Sequence, residues 1–563
     1  MKFNDFKYER PKIGLVKNEL IKLVDNLNNA NSLDEALSII KKYHKYEDNF
    51  SSNVQLAYIR HSLDTNDKFY NEEKDYLNKV LPEIQEYSVL FQKALLDSKF
   101  KDELEKELGI LIFTQAKLIH KTFDPKIIPE LQRENELSNE YSKLLASALI
   151  EFEGKTYNLS EMRPFSSNIN RDIRKKASQA VSAWFNINID KFDRIYDDLV
   201  KVRHEMALKL GYPSYVELAY DNLMRTDYNK DDVKTYRDQV YEEIVPLVKE
   251  LVKRKGERIK IKDLKSYDLT LSFLNGNPSP KGNKDWQVEK ALEMYQEMSE
   301  ETYQFFQYMV DKDLLNLDSK KGKEGGGYCT YIPSYEAPFI FANFNGTSGD
   351  VDVLTHEAGH AFQVYSSRHL IPEYRWPTME SAEIHSMSME FLAWPWIDKF
   401  FKEDTNKYKF DHLSGAIEFL PYGVLVDEFQ HEVYENPKLS PKERRALWRN
   451  LEKKYLPQKI YDNDKFLEEG GFFFRQSHIF TSPFYYIDYT LAQVVALEFW
   501  SLSQEDFKKA WDKYYKLCTL GGSKTFLGLL EEVNLKNPFK KGTIKEVMKP
   551  INKYLNSIND KEL

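Results

Sequence analysis

Apolar residues recur three and four positions apart along most of this chain. Leu33, Ala36, Leu37 and Ile40 fall on one helical face. Ser32-Leu33-Asp34-Glu35 in front of them reads as a capping box, with Ser32 as N-cap and Glu35 reaching back. The same style runs from about residue 69 to 150, with few glycines or prolines to stop it. In Glu151-Phe152-Glu153-Gly154-Lys155-Thr156-Tyr157 the period changes to alternation about a glycine, which predicts a short turn or hairpin. A new helical run then starts at Asn170. These changes divide the chain into an N-terminal helical lobe, residues 1–160, and a second lobe, residues 161–563. No fixed-period repeat is present, which disfavours a solenoid.

Two breaks in the helical pattern stand out. Asn277-Pro278-Ser279-Pro280-Lys281-Gly282-Asn283 has the composition of a surface loop, and so has the stretch Gly322 to Gly327 with its triple glycine. The second leads into Tyr328-Cys329-Thr330-Tyr331-Ile332-Pro333 and Ala337-Pro338-Phe339-Ile340-Phe341-Ala342-Asn343-Phe344, β-branched and aromatic runs that predict strands. The expected architecture is therefore mainly α: a large multihelical, two-lobed body with one small β element.

Composition narrows the class. At 563 residues the chain exceeds one ordinary core, and a 42% hydrophobic, 30% charged balance is that of a globular protein. A net charge of −9 offers no basic face for nucleic acid and repels anionic lipid on average. Only two cysteines are present, Cys329 and Cys518, without CxxC spacing. A disulfide framework is excluded, and a reducing, cytoplasmic compartment is the expected home. Met1-Lys2-Phe3-Asn4-Asp5-Phe6-Lys7 does not read as a signal peptide, and no run of about 18 apolar residues predicts a membrane span. Tyrosine and phenylalanine are abundant, at 36 and 35. Packing between helices accounts for most of them, and a minority is expected to line a peptide channel.

The chemistry concentrates in His356-Glu357-Ala358-Gly359-His360. On a helix running from Val351 to Ser367, residues four apart share a face with Cβ atoms about 5–6 Å apart, close enough for two imidazoles to meet one metal ion. Zinc accepts such nitrogens at about 2.0–2.1 Å. Glu357, one position on, points beside the metal and is placed to take a proton from the water that zinc acidifies to a pKa near 7. With 11 histidines in the chain, chance produces an HExxH pattern in roughly one such chain in fifty. A catalytic zinc needs a third protein ligand. No HxxGxxH continuation follows, and the next predicted helix, around 378–391, offers Glu380, Glu383 and Glu390. Spacing alone does not choose among them. His385 on the same segment reads as a packed histidine or as a neighbour of the ligands.

These segments resemble the thimet oligopeptidase and oligoendopeptidase F family of zinc peptidases, with the closest likeness to bacterial Pz-peptidase-like oligoendopeptidases. The likeness spans about 160–550 and rests on Val353-Leu354-Thr355-His356-Glu357-Ala358-Gly359-His360, Ser381-Ala382-Glu383-Ile384, Phe484-Tyr485-Tyr486-Ile487-Asp488-Tyr489 and Leu520-Gly521-Gly522-Ser523. The resemblance implies one zinc ion per chain, held by His356, His360 and Glu383, with Glu357 as base and Glu390 as an acidic neighbour. It implies that His478, Tyr486 and Tyr489 face the scissile peptide and stabilise the oxygen that becomes negative there. The spacing from His478 to the tyrosines is one residue shorter than in the thimet branch, so Tyr485 is the alternative to Tyr486. A deep channel that admits oligopeptides and excludes folded proteins is also implied. Against it, the 337–345 segment, with Ala337, Phe339 and Phe341, is expected to present a sheet edge to the substrate backbone beside Tyr485.

The leading expectation is thus a zinc endopeptidase acting on short peptides, with no nucleic-acid or membrane partner. Two alternatives compete with it. A metallocarboxypeptidase of similar build would need a cation for the substrate carboxylate, with Arg368, Arg375 and Arg475 as candidates. A non-catalytic peptide-binding protein is the other, and the intact His356, Glu357 and His360 speak against it.

Overall fold

A computed structural model describes residues 1–563, and it is a large helical body with two small sheets. The N-terminal part opens with helices α1 (Ile13–Asn28), α2 (Leu33–Leu63) and α3 (Lys68–Leu96), followed by α4 (Ile128–Ala146). Ser32 caps α2 by accepting from the Glu35 N–H, and the Glu35 carboxylate reaches back to the Asn31 N–H, one residue earlier than a standard capping box. Leu20, Leu27, Ile40, Tyr43, Ile84 and Phe91 build a compact apolar cluster among these helices.

That cluster closes on Tyr374, from far along the chain. The Tyr374 hydroxyl accepts from the Ile112 N–H at 3.1 Å and donates to the Leu108 carbonyl at 2.9 Å. Asp48 on α2 receives both arms of the Arg375 guanidinium, at 2.6 and 3.1 Å. The N-terminal helices are therefore fastened to the segment that leads into the helix carrying Glu383.

The alternation around Gly154 is a hairpin of β1 (Ile150–Phe152) and β2 (Lys155–Tyr157). The second sheet has three strands, β3 (Leu315–Asp318), β4 (Tyr328–Ile332) and β5 (Ala337–Phe344), in the order β3-β5-β4. β5 pairs parallel with β3 and antiparallel with β4. Strand β5 is thus central, and its expected role as a substrate-facing edge does not hold. Ala337, Phe339 and Phe341 are buried, their backbone flanked on both sides, so none is open to a peptide. The sheet's two edges are β3 and β4, and β4 is the one that follows Gly327, beside Glu357. Lys323 fastens the glycine-rich approach to β4 by donating to the carbonyls of Asn316, Asp318 and Ala342.

Five further helices surround the HExxH segment: α5 (Gly349–Ser367), α6 (Met379–Leu392), α7 (Thr405–Glu435), α8 (Tyr486–Glu505) and α9 (Phe507–Leu520). α5 packs on β4 and β5, α6 lies between α5 and α8, and α7 and α9 flank α8. Small residues permit these approaches. A Cβ on Gly359 would come 2.5 Å from the His385 carbonyl oxygen, so α5 and α6 touch backbone to backbone there. A Cβ on Gly522 would fall 2.3 Å from the Trp376 carbonyl, which explains the two glycines after α9. No helix is long and apolar enough to cross a membrane.

Candidate active site

The close approach at Gly359 brings the two motif histidines to α6. His356 Nε2 and His360 Nε2 each lie 3.3 Å from the same oxygen, Glu383 Oε2. The ligand atoms of these three residues all fall within 4.8 Å of one another. A tetrahedral centre with bonds of about 2.0–2.1 Å separates its ligand atoms by about 3.3–3.4 Å, so the donor set fits zinc. Burial alone would raise the Glu383 carboxyl, but His360 and His356 hold it well below the usual carboxylate range.

The other acidic residues of α6 have different duties. Glu390 accepts from His356 Nδ1 at 2.7 Å, which leaves the His356 Nε2 lone pair facing the centre. Its second oxygen takes His412 Nε2 at 2.8 Å, and His412 Nδ1 accepts from the Trp394 indole at 3.0 Å. Glu380 is buried beside Arg225, away from the histidines, and burial pushes it up to about 7. His385 is buried against α9, where its Nδ1 meets Cys518 Sγ at 3.5 Å and burial pushes the imidazole down to about 3.

Glu357 lies beside the three-residue set, on the side of β4. A Cβ added to Gly327, the last glycine before that strand, would come 3.6 Å from Glu357 Oε1. Burial raises the Glu357 carboxyl above its ordinary value against the pull of the two histidines, which suits a proton acceptor that later becomes a donor.

The aromatic wall comes from α8 and the turn before it. His478, Tyr486, Tyr489 and Gln493 line one cavity with His356 and Glu390. The His478 ring is 5.0 Å from that of Tyr486 and 5.7 Å from that of Tyr489. Gln476 Nε2 lies 2.7 Å from His478 Nδ1, and Gln476 Oε1 accepts from the Tyr422 hydroxyl at 2.7 Å. This chain puts the His478 proton on Nε2, and burial lowers the imidazole further, keeping it neutral. Tyr485 departs from its expected contact with substrate: its hydroxyl donates to Glu383 Oε1, while Ser386 donates to Oε2 at 2.9 Å.

One strained residue aims this wall. Phe484 has φ +64, the left-handed region that a bulky residue rarely adopts. Its N–H donates to Gln430 at 2.9 Å and its carbonyl accepts from Arg225 at 2.7 Å. Arg225 also pairs with Asp488 at 2.6 Å, both side chains being wholly buried.

The partners of these groups escaped sequence reasoning. Gln476, His412, Ser386 and Tyr422 carry no motif, and only Gln476, two residues before His478, had a local signal. None of Arg368, Arg375 and Arg475 lines the cavity beside His356. Arg375 is tied to Asp48, and Arg475 stacks on Phe185 and Phe472.

Comparison with known proteins identifies a family. The model of the family described as Peptidase family M3 matches residues 165–549, and that of the Peptidase M3 N-terminal domain matches residues 3–123. A solved structure of Pz peptidase A with an inhibitor is 50% identical, with a TM-score of 0.97 and full coverage of both chains. An oligoendopeptidase F homolog from Mycoplasma genitalium is 22% identical over 93% of this chain and 91% of its own length. The oligoendopeptidase-F of Enterococcus faecium, 15% identical with a TM-score of 0.65 over 98% of both chains, shares the fold.

Proposed function

This chain belongs to peptidase family M3, and on that premise we propose that it is a zinc-dependent endopeptidase of short, unstructured oligopeptides. The observation that carries this reading is the convergence of His356, His360 and Glu383, with Glu357 beside them on the same helix as the histidines. These three residues would hold one zinc ion, which when bound supplies Lewis acidity and lowers the pKa of water toward neutrality.

The side chains divide the remaining work. Glu357 takes the proton of the attacking water and passes it to the departing nitrogen. His478 Nε2–H and the hydroxyls of Tyr486 and Tyr489 donate to the carbonyl oxygen as it becomes negative. Gln476 holds His478 in the donor tautomer, and Tyr485 and Ser386 orient Glu383. The free edge of β4 takes an extended peptide by main-chain pairing, which needs an unfolded substrate and reads little of its sequence. A cavity of about 520 Å³ separates that edge from α2, α3 and α4, with Gln55, Asn78, Asn135 and Asn139 in its walls. The N-terminal lobe, residues 1–160, thereby restricts entry to slender chains.

The test is cleavage of peptides blocked at both ends, read by mass spectrometry, with chelator and with zinc restored. Internal cuts that chelator abolishes and zinc restores are expected. Cleavage confined to free C-termini would transfer the reading to a carboxypeptidase. No cleavage by zinc-carrying protein would leave a peptide-binding protein.

A further inference from the structure

The cavity that His478, Tyr486 and Tyr489 share with His356 measures about 520 Å³ and is walled by α5, α6, α7 and α8. We propose that it is a subsite for a lysine or arginine side chain of the peptide, held by Asp411 and Asp352. This inference rests on the endopeptidase reading and names the substrate class that the same site prefers.

The carboxylates of this cavity outnumber its cations. Glu390 is committed to His356 and His412. Asp352, one helical turn before His356, accepts a neutral hydrogen bond from Tyr408 at 2.6 Å and forms no ion pair with a lysine or arginine; the nearby imidazole of His412 is itself bonded to Glu390. Burial pushes its carboxyl up to about 6, against the pull of the nearby His412. Asp411 is half-buried and makes neither an ion pair nor a hydrogen bond through its carboxylate. The nearest lysines along α7 are engaged elsewhere, Lys407 with Asp404 at 3.5 Å and Lys409 over the Trp394 ring.

The rest of the wall fits a long stem with a polar end. Met387, Ala416 and Phe419 are apolar, which suits the methylenes of lysine or arginine while the charged head meets the carboxylates. Gly415 sits inside the long helix α7, where glycine is a poor helix former, and a Cβ there would meet nothing within 4 Å. The missing side chain leaves room for an occupant. Gln493, only 6% exposed, lines the same cavity, and its amide nitrogen has no partner. It supplies the hydrogen bond that a peptide carbonyl beside the bound side chain requires.

The test uses zinc-loaded full-length protein and doubly blocked peptides that carry lysine, norleucine or glutamate at each position flanking the cut. At one position, lysine is expected to exceed norleucine by about tenfold in kcat/KM, with glutamate the poorest. Asp411→Asn should bring that lysine-to-norleucine ratio within about twofold, and Asp411→Lys should favour glutamate. Gly415→Leu, which faces open space, should slow peptides with a long side chain at that position more than those with glycine there. Equal rates for lysine and norleucine at every position, or a ratio untouched by Asp411→Asn, would overturn the subsite. In a parallel set with a free amino terminus, a preference absent from the blocked peptides would reassign the cavity to an α-ammonium group and overturn the side-chain form. Failure to cut any peptide would remove the endopeptidase reading itself, an outcome distinct from cutting without charge preference.

Discussion

The N-terminal helices and the helices around His356 follow opposite rules. α3 buries 10 of its 29 residues, most of them in one stripe. α6 buries 12 of its 14, on every side. The first is an amphipathic helix whose polar face is solvated, and its few buried groups are mostly apolar. The second carries Glu380, Glu383, His385, Ser386 and Ser388 into the interior. Burying such groups is unfavourable unless each finds a partner, so their presence marks where the chain gives up stability for chemistry. Stability here is a property of stripes, and function is a property of the polar exceptions inside a helix that has no solvent face.

That contrast can be broken at several points. Glu357→Gln keeps the shape of the buried region and removes a proton acceptor. Turnover is expected to fall by about 10²–10⁴-fold, with zinc content and Tm unchanged. Near-normal turnover would return Glu357 to a structural role. Gly359→Ala should destabilise by about 1–3 kcal/mol, because the new Cβ would lie 2.5 Å from the His385 carbonyl. Thermal unfolding reads that loss. Gly415→Ala on α7, where the space is open, should instead stabilise by about 0.4–1 kcal/mol. A similar response from both glycines would erase the distinction between backbone contact and cavity wall.

Glu390→Gln weakens the link between His356 and His412, and zinc affinity should drop by about 10–100-fold in chelator competition. Unchanged affinity would show that His356 is oriented by packing alone. A modest effect, confined to stability, belongs to the other region. Ser32→Ala removes an N-cap and should lower stability by about 0.5–2 kcal/mol, with kcat and zinc affinity untouched. A change in turnover there would mean that the N-terminal helices are coupled to the centre.

What the sequence displayed follows the same division. His356, Glu357 and His360 were legible because a helix fixes neighbours four apart, whereas Tyr486 and Tyr489 stood out only through the family likeness. Glu383 needed the Ala-Glu-Ile likeness, since Glu380 and Glu390 sit on the same helix. The strand order was hidden. β3 is four residues long and pairs parallel with β5 from outside the predicted β segment, so nothing local showed that β5 would be enclosed. His412 and Tyr422 meet the site across long stretches of chain, and no period encodes such a meeting. Asp411 resembled any surface carboxylate until α7 turned it toward a cavity.

The Arg225–Asp488 pair also governs when the machine comes into being. Either charge alone in that interior would be strongly unfavourable, so the two are brought in together across a sequence separation of 263. Phe484, and the tyrosines behind it, take their final direction only then. A chain still emerging from the ribosome, with Asp488 not yet delivered to Arg225, therefore holds its histidines without an aimed aromatic wall.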